Sequence, residues 1–319
     1  MEKICYPIAW ALLLIFLSYP LIISHGSKHL QLDDPPESFR NDTLLSMPSL
    51  KYCEAKWPSF GPRNMKHKPK QITMVASYPG SGARLSRKLV QALTGVMGCS
   101  DVRMEKCNDR NGYVTVKTHF PTGNTPEKSF ERFANVPRSV LLIRNPAKAM
   151  PSWFSFMYEK KQHLSGHTVN LPLDDWIRYR EENFNASLQA WVRHTQFWLE
   201  HNGKENTLIV TFEHLVDPQT GPDEVERFER FVSQSSGFPL IQEPEDIPCI
   251  WDYVVNSRGD EIQSHRSGGP KFYPYTDEQI DRIVAELSAI GKNYTEMANT
   301  MNAYIAELQA ATTRTVDLV

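Results

Sequence analysis

The chain has 319 residues, 40% of them hydrophobic and 23% charged, with 35 Lys and Arg against 37 Asp and Glu. That is the balance of an ordinary globular protein of one large domain or two small ones. A net charge of −2 excludes a chain-wide basic surface, and with it a general binder of nucleic acid or of anionic membrane. Any cationic site must be local.

At the amino terminus, Ile4–Ser24 (ICYPIAWALLLIFLSYPLIIS) is a run of 21 residues without a charge. As a helix it would be about 30 Å long, the hydrocarbon thickness of a bilayer. It exceeds the apolar core of a cleaved signal peptide and shows no small-residue cleavage site. Residues 1–24 therefore read as a single-pass signal anchor with a short cytoplasmic tail, the chain's one expected membrane contact, with a cleaved signal peptide as the alternative. Residues 25–70 are polar and proline-rich (DDPPESFRNDT, KWPSFGPRNMKHKPK) and read as a stem. Sequons at Asn41, Asn185 and Asn293 favour a lumenal body beyond the anchor.

Cys5 falls within the anchor, leaving Cys53, Cys99, Cys107 and Cys249. An even number suits two disulfides in an oxidising lumen, with Cys99–Cys107 and Cys53–Cys249 as the expected pairs and four free thiols as the alternative. No CxxC pair is present, so a zinc site is not expected.

From residue 71 onward the pattern changes to short apolar runs separated by helical segments. Residues 72–77 (ITMVAS), 113–117 (YVTVK), 139–143 (SVLLI) and 207–212 (TLIVTF) read as strands buried on both faces. Helices are predicted over Arg84–Leu93, Ala147–Lys161, Leu188–His201, Asp223–Gln234, Thr276–Ala289 and Asn293–Leu308. The fifth of these opens on Thr276-Asp-Glu-Gln, a capping box. Alternating strands and helices predict an α/β domain over residues 71–319, a P-loop-like doubly wound parallel sheet of four to five strands flanked by helices. Ligands of such sheets bind beyond the carboxyl ends of the strands.

Three of the predicted strand ends carry chemistry. Tyr78-Pro79-Gly80-Ser81-Gly82-Ala83-Arg84 follows the first strand, and its glycines allow successive N–H groups to face an anion at the start of a helix. It lacks the Gly-Lys-Ser/Thr ending that nucleotide hydrolases use on a triphosphate and magnesium. Lys117-Thr118-His119 ends the second strand. Arg144-Asn145-Pro146 follows the third, with Ser152 eight residues beyond the arginine.

This set resembles the sulfotransferase superfamily, which takes its sulfuryl group from 3′-phosphoadenosine 5′-phosphosulfate (PAPS). Four elements match in order: the Tyr-Pro-x-Ser-Gly loop, the Lys-Thr-His strand end, the Arg-x7-Ser pair and Thr211-Phe-Glu-His-Leu-Val-Asp-Pro218. His265-Arg-Ser-Gly-Gly-Pro270 resembles the family's late Arg-Lys-Gly motif more faintly. The glycine of Tyr78-Pro-Gly80-Ser-Gly82 points to membrane-anchored Golgi branches such as the WSC-domain-containing (sialate O-) sulfotransferases, although no WSC module is present.

The resemblance implies that Gly80, Ser81, Gly82 and Ala83 cradle the 5′-phosphosulfate, with PAPS as co-substrate and no metal. It implies that Arg144 and Ser152 hold the 3′-phosphate, with Arg84, Arg266 and Gly268 adding to the donor site. His119 would be the general base on an acceptor hydroxyl, and Lys117 would neutralise charge on the bridging oxygen. The acceptor would be a glycan or glycoconjugate, sialic acid among the candidates, with residues 160–205 and 235–275 shaping its pocket.

Three departures stand out. Gly80 replaces a lysine of the cytosolic relatives, so Arg84, Arg87 or Lys88 is expected to compensate. Ala83 removes a side-chain donor, and Pro151 is expected to disturb the helix presenting Ser152. Structural roles remain open for Arg144 (paired with Glu213), His119, Lys117 and the Arg266 and Gly268 loop. Trp153, Trp176, Trp191, Trp198 and Trp251 read as core and interface fillers. The rival readings are a P-loop kinase or nucleotide hydrolase and a non-catalytic binding protein on the same scaffold. No nucleic-acid partner is expected, and oligomeric state is left open.

Overall fold

A computed structural model describes residues 71–96, 98–101, 113–123, 125, 127–164, 171–236, 244–255 and 274–316, all within one compact unit, Tyr52–Val319. The predicted anchor, the stem, Arg266 and Gly268 lie outside these residues. Each expected disulfide pair also includes a cysteine outside them. Among the described residues no helix is long and apolar enough to cross a membrane.

Five parallel strands form the centre: β1 (Thr73–Ser77), β2 (Cys99–Ser100), β3 (Thr115–Thr118), β4 (Ser139–Ile143) and β5 (Thr207–Thr211). Their order across the sheet is β2-β3-β1-β4-β5. The expected architecture is therefore present, with four strands where the apolar runs placed them. Only β2, two residues long on the sheet's edge, had no sequence signal. The register pairs Ala76 with Thr118 and Ser77 with Leu142. The carboxyl ends of β3, β1 and β4 consequently stand side by side.

Alternation along the strands sends residues to two cores. Met74, Ala76, Leu141 and Ile143 face one core, and Val75, Val140 and Leu142 face the other. The second core is closed by α1 (Ala83–Thr94), α6 (Gly221–Ser236) and α7 (Ile247–Val255), through Leu89, Leu93, Phe228 and Trp251. The first core is closed by α3 (Pro146–Lys161), α4 (Leu173–His201), α8 (Asp277–Asn293) and α9 (Ala298–Val316). Two short helices, α2 (Glu127–Glu131) and α5 (Phe212–Val216), complete the described elements. The capping box of α8 forms as predicted: Thr276 accepts from the Gln279 N–H, and Gln279 returns the bond to the Thr276 N–H.

Two helical expectations change. The fourth helix begins at Leu173, fifteen residues before the predicted start, and its buried stripe runs through Trp176, Arg180, Phe184 and Leu188. The polar Arg180 and the uncapped Pro172 concealed that half. Arg180 is buried because its guanidinium donates to the Pro274 carbonyl at 2.7 Å.

Pro151 does not break α3, contrary to the expectation. Proline removes the N–H that would bond the carbonyl four residues back, at Ala147. The Tyr275 hydroxyl takes that carbonyl at 3.2 Å, so the helix runs on to Lys161. Tyr275→Phe leaves the ring against Trp176 but orphans the Ala147 carbonyl. It should cost about 1–2 kcal/mol, read as a lower denaturant midpoint with an unchanged slope. An unaltered midpoint would remove Tyr275 from this role.

Candidate functional site

The β1–α1 connection is shaped by two glycines in the left-handed region, Gly80 (φ 86°) and Gly82 (φ 96°), where only glycine is unstrained. Close packing fixes both. A Cβ on Gly80 would stand 2.2 Å from the Ala149 carbonyl oxygen and 2.9 Å from the Trp153 nitrogen, both backbone atoms of α3. A Cβ on Gly82 would stand 2.5 Å from the Phe212 ring. A side chain at this position is therefore sterically excluded, and the backbone of α3 occupies its place. Ser152, half-buried on α3, immediately precedes Trp153, whose backbone nitrogen is one of these contacts.

Gly82 is the N-cap of α1 and supplies no side-chain cap, and the first turn of α1 has no acidic residue. In contrast α4, α6 and α8 carry Asp and Glu in their first turns. The positive end of α1 is left for another anion. Inside the loop Ser81 is 1% exposed, and its Oγ has no hydrogen-bond partner. A buried hydroxyl without a partner costs about 1–3 kcal/mol, which a ligand oxygen reaching it would offset. Ala83 is buried at the start of α1, while Arg84 is exposed beside it.

The other two strand ends are joined to this loop by hydrogen bonds. Arg144, at the end of β4, donates from Nη1 to the Gly80 carbonyl at 2.7 Å. Its guanidinium lies 4.3 Å over the Phe212 ring. Phe212 thus touches both Gly82 and Arg144, a role for the aromatic residue in the Thr211-Phe-Glu-His-Leu-Val-Asp-Pro218 stretch. Glu213 accepts from the Asn145 backbone N–H at 3.1 Å and from the Tyr304 hydroxyl at 2.8 Å. It braces the turn after Arg144. Asn145 caps α3 by accepting from the Ala147 N–H, and its amide donates to Glu307 at 3.0 Å. Glu307 also pairs with Lys148.

His119, just past β3, places Nδ1 2.6 Å from the Ser77 carbonyl oxygen at the end of β1. A carbonyl only accepts, so Nδ1 carries the proton and Nε2 keeps its lone pair. Thr122 and Thr125 clamp the backbone, the Thr122 hydroxyl donating to the His119 carbonyl at 2.6 Å and Thr125 Oγ1 accepting from the His119 N–H at 3.2 Å. Burial, and then the ammonium of Lys117, push the imidazole down to about 3. The ring is neutral at physiological pH, the form that accepts a proton. Lys117, on β3 between Val75 and Ser100, acts at short range on the same ring.

The predicted residues Gly80, Ser81, Gly82, Ala83, Lys117, His119 and Arg144 therefore stand at the carboxyl ends of neighbouring strands, with Ser152 on the helix that packs against the loop. Arg144 reaches the loop through the Gly80 carbonyl, and the aliphatic chain of Arg87 lies against Gly98 before β2.

Sequence reasoning missed His194 of α4. It is 1% exposed with Nε2 unpartnered, and its ring is 6.4 Å from that of Tyr78. Burial, and then His119, push it down to about 3. The signal available was a histidine inside a tryptophan stripe. Of the tryptophans read as fillers, Trp176, Trp191, Trp198 and Trp251 are buried, whereas Trp153 is half-buried and stacks on Phe156.

Residues 99–236 match the family model of the sulfotransferase domain, a span that contains Lys117, His119, Arg144, Ser152 and the stretch at 211–218. A WSCD family member of Aedes aegypti is 22% identical over 232 residues, covering 68% of this chain and 67% of its own length. The solved structure of mouse sulfotransferase SULT7A1, complexed with PAP, superposes with a TM-score of 0.50 at 13% identity. It covers 75% of this chain and 89% of that one, a likeness of fold. Motifs and strand-end geometry agree with these likenesses: residues 99–236 match a sulfotransferase domain, and the sheet has the fold of a solved sulfotransferase.

Proposed function

We propose that this protein transfers a sulfuryl group from PAPS to a hydroxyl of a glycan or glycoconjugate in the secretory pathway. The observation that carries the proposal is the tie between three strand ends, Arg144 to Gly80 at 2.7 Å and His119 to Ser77 at 2.6 Å. It draws a cationic fork, a neutral imidazole and an uncapped helix start into one place.

The residues fit the donor. Ser81 Oγ is a buried hydroxyl without a partner, and the first turn of α1 carries no competing acid. In this reading Gly80, Ser81, Gly82 and Ala83 hold the phosphosulfate end. Arg144, a planar fork, and Ser152 hold the 3′-phosphate, with Arg84, Arg266 and Gly268 as further donor contacts. When bound, PAPS supplies an activated sulfuryl group and a stable leaving nucleotide.

His119 Nε2 removes the acceptor's hydroxyl proton as its oxygen bonds to sulfur. Ser77 keeps the ring in the tautomer with the free lone pair. Lys117 stabilises charge that builds on the departing side. No covalent bond to the protein is needed.

The lumenal, Golgi-resident placement is supported by the uncharged run at 4–24, by sequon residues Asn185 and Asn293 on the surface, and by the disulfide-bonded state of Cys99 and Cys249. The test is incubation of the full-length chain with labelled PAPS and a panel of desulfated glycans. Label should pass to at least one of them. Label on tyrosine or small phenols alone would replace the glycan reading.

A further inference from the structure

The three strand ends are tied to one another, and each is also tied to a single face of α4. The Trp191 indole N–H donates to the Arg144 carbonyl at 3.0 Å. The Trp198 indole N–H donates to the carbonyl of Phe120, one residue past His119, at 2.7 Å. Between them His194 meets the Tyr78 ring edge-on. One turn earlier the Ser187 carbonyl accepts the Tyr78 hydroxyl at 3.3 Å. The residues at 191, 194 and 198 stand one and two turns apart on one side of the helix. They are 0%, 1% and 0% exposed.

Aliphatic residues could fill these core positions. The tryptophans add a donor, and both donors go to peptide carbonyls beside functional side chains rather than elsewhere in the core. A bond to the Arg144 carbonyl fixes the peptide plane from which that guanidinium extends. A bond to the Phe120 carbonyl fixes the peptide one residue beyond the one that carries the imidazole, and so restrains His119 through its neighbour.

We propose that this face of α4 is a positioning device for the transfer site, in which Trp191 sets Arg144 and Trp198 sets His119. The spacing between donor-binding cation and base is then copied from the rigid rise of one helix. This inference rests on the sulfuryl-transfer reading, and its test separates the two.

Trp191→Phe and Trp198→Phe keep an aromatic ring and remove the N–H. Replacement of each tryptophan by 3-benzothienylalanine, which matches the indole in shape, covers the case where phenylalanine fails to fold. Two readouts are taken on the full-length chain: calorimetric affinity for adenosine 3′,5′-bisphosphate, and the rate and pH profile of PAPS turnover. Loss of the 191 donor should weaken nucleotide binding about tenfold, whereas loss of the 198 donor should leave binding within about twofold and slow turnover about 10- to 100-fold.

The second variant should also move the acid limb of the pH profile upward. A loosened His119 regains water and escapes the two influences that depress it, burial and Lys117. His194, the other titratable group facing this ring, is unchanged in both variants. If the variants match the wild type on both readouts, or lose binding and turnover in the same proportion, the positioning role is wrong. If the wild type itself binds no adenosine bisphosphate, the sulfuryl-transfer reading fails and the inference goes with it.

Discussion

His119→Ala is expected to slow sulfuryl transfer about 10²- to 10⁴-fold, the range of a lost general base, while nucleotide affinity stays close to that of the wild type. The separation follows from geometry. His119 bonds the Ser77 carbonyl through Nδ1 and leaves Nε2 for an acceptor, so it holds nothing that the donor itself requires. His119→Asn sharpens the experiment, since an amide N–H can take over the bond to Ser77 without supplying a base. Both variants should be inactive and both should bind. Normal turnover in either would end the catalytic assignment of His119, and lost binding in both would make the residue structural.

Gly80→Ala is the second large effect. Its φ of 86° costs a non-glycine residue roughly 1–2 kcal/mol, before any contact is counted. The added Cβ also meets the Ala149 carbonyl at 2.2 Å, and backbone inside a helix cannot swing aside as a side chain could. We expect a fall in stability of more than about 3 kcal/mol together with loss of nucleotide binding. Gly80→Lys should be no better, since its Cβ meets the same backbone. Gly123→Ala, with nothing within 4 Å of its Cβ, is the control and should be silent. A stable, nucleotide-binding Gly80→Lys protein would show that the loop can adopt another path.

The same contact shows what the sequence could not: a missing lysine reads as a missing charge, but the space it would need is filled by the backbone of α3, and the Arg144 guanidinium reaches the loop from the next strand. Four strands were legible because parallel strands buried on both faces must be continuous apolar runs. β2 was not, since Cys99–Ser100 is too short to show a period. The strand-end residues were legible as chemistry because the topology of a doubly wound sheet places them there. Their bracing was not. Glu213, Tyr304 and Glu307 act through bonds across some 90 to 160 residues of sequence, and the indoles of Trp191 and Trp198 look like any core tryptophan until their N–H partners are seen. Pro151 misled for a related reason, because the hydroxyl that rescues its orphaned carbonyl comes from Tyr275, 128 residues away.

The most direct measurement is calorimetry of the full-length chain with adenosine 3′,5′-bisphosphate, repeated on Arg144→Ala. A dissociation constant on the order of micromolar or tighter is expected, weakened roughly 10- to 100-fold when a charge-assisted fork is removed. No heat of binding from the wild-type chain, or equal binding by both proteins, would contradict a donor site built on the joined ends of β1, β3 and β4.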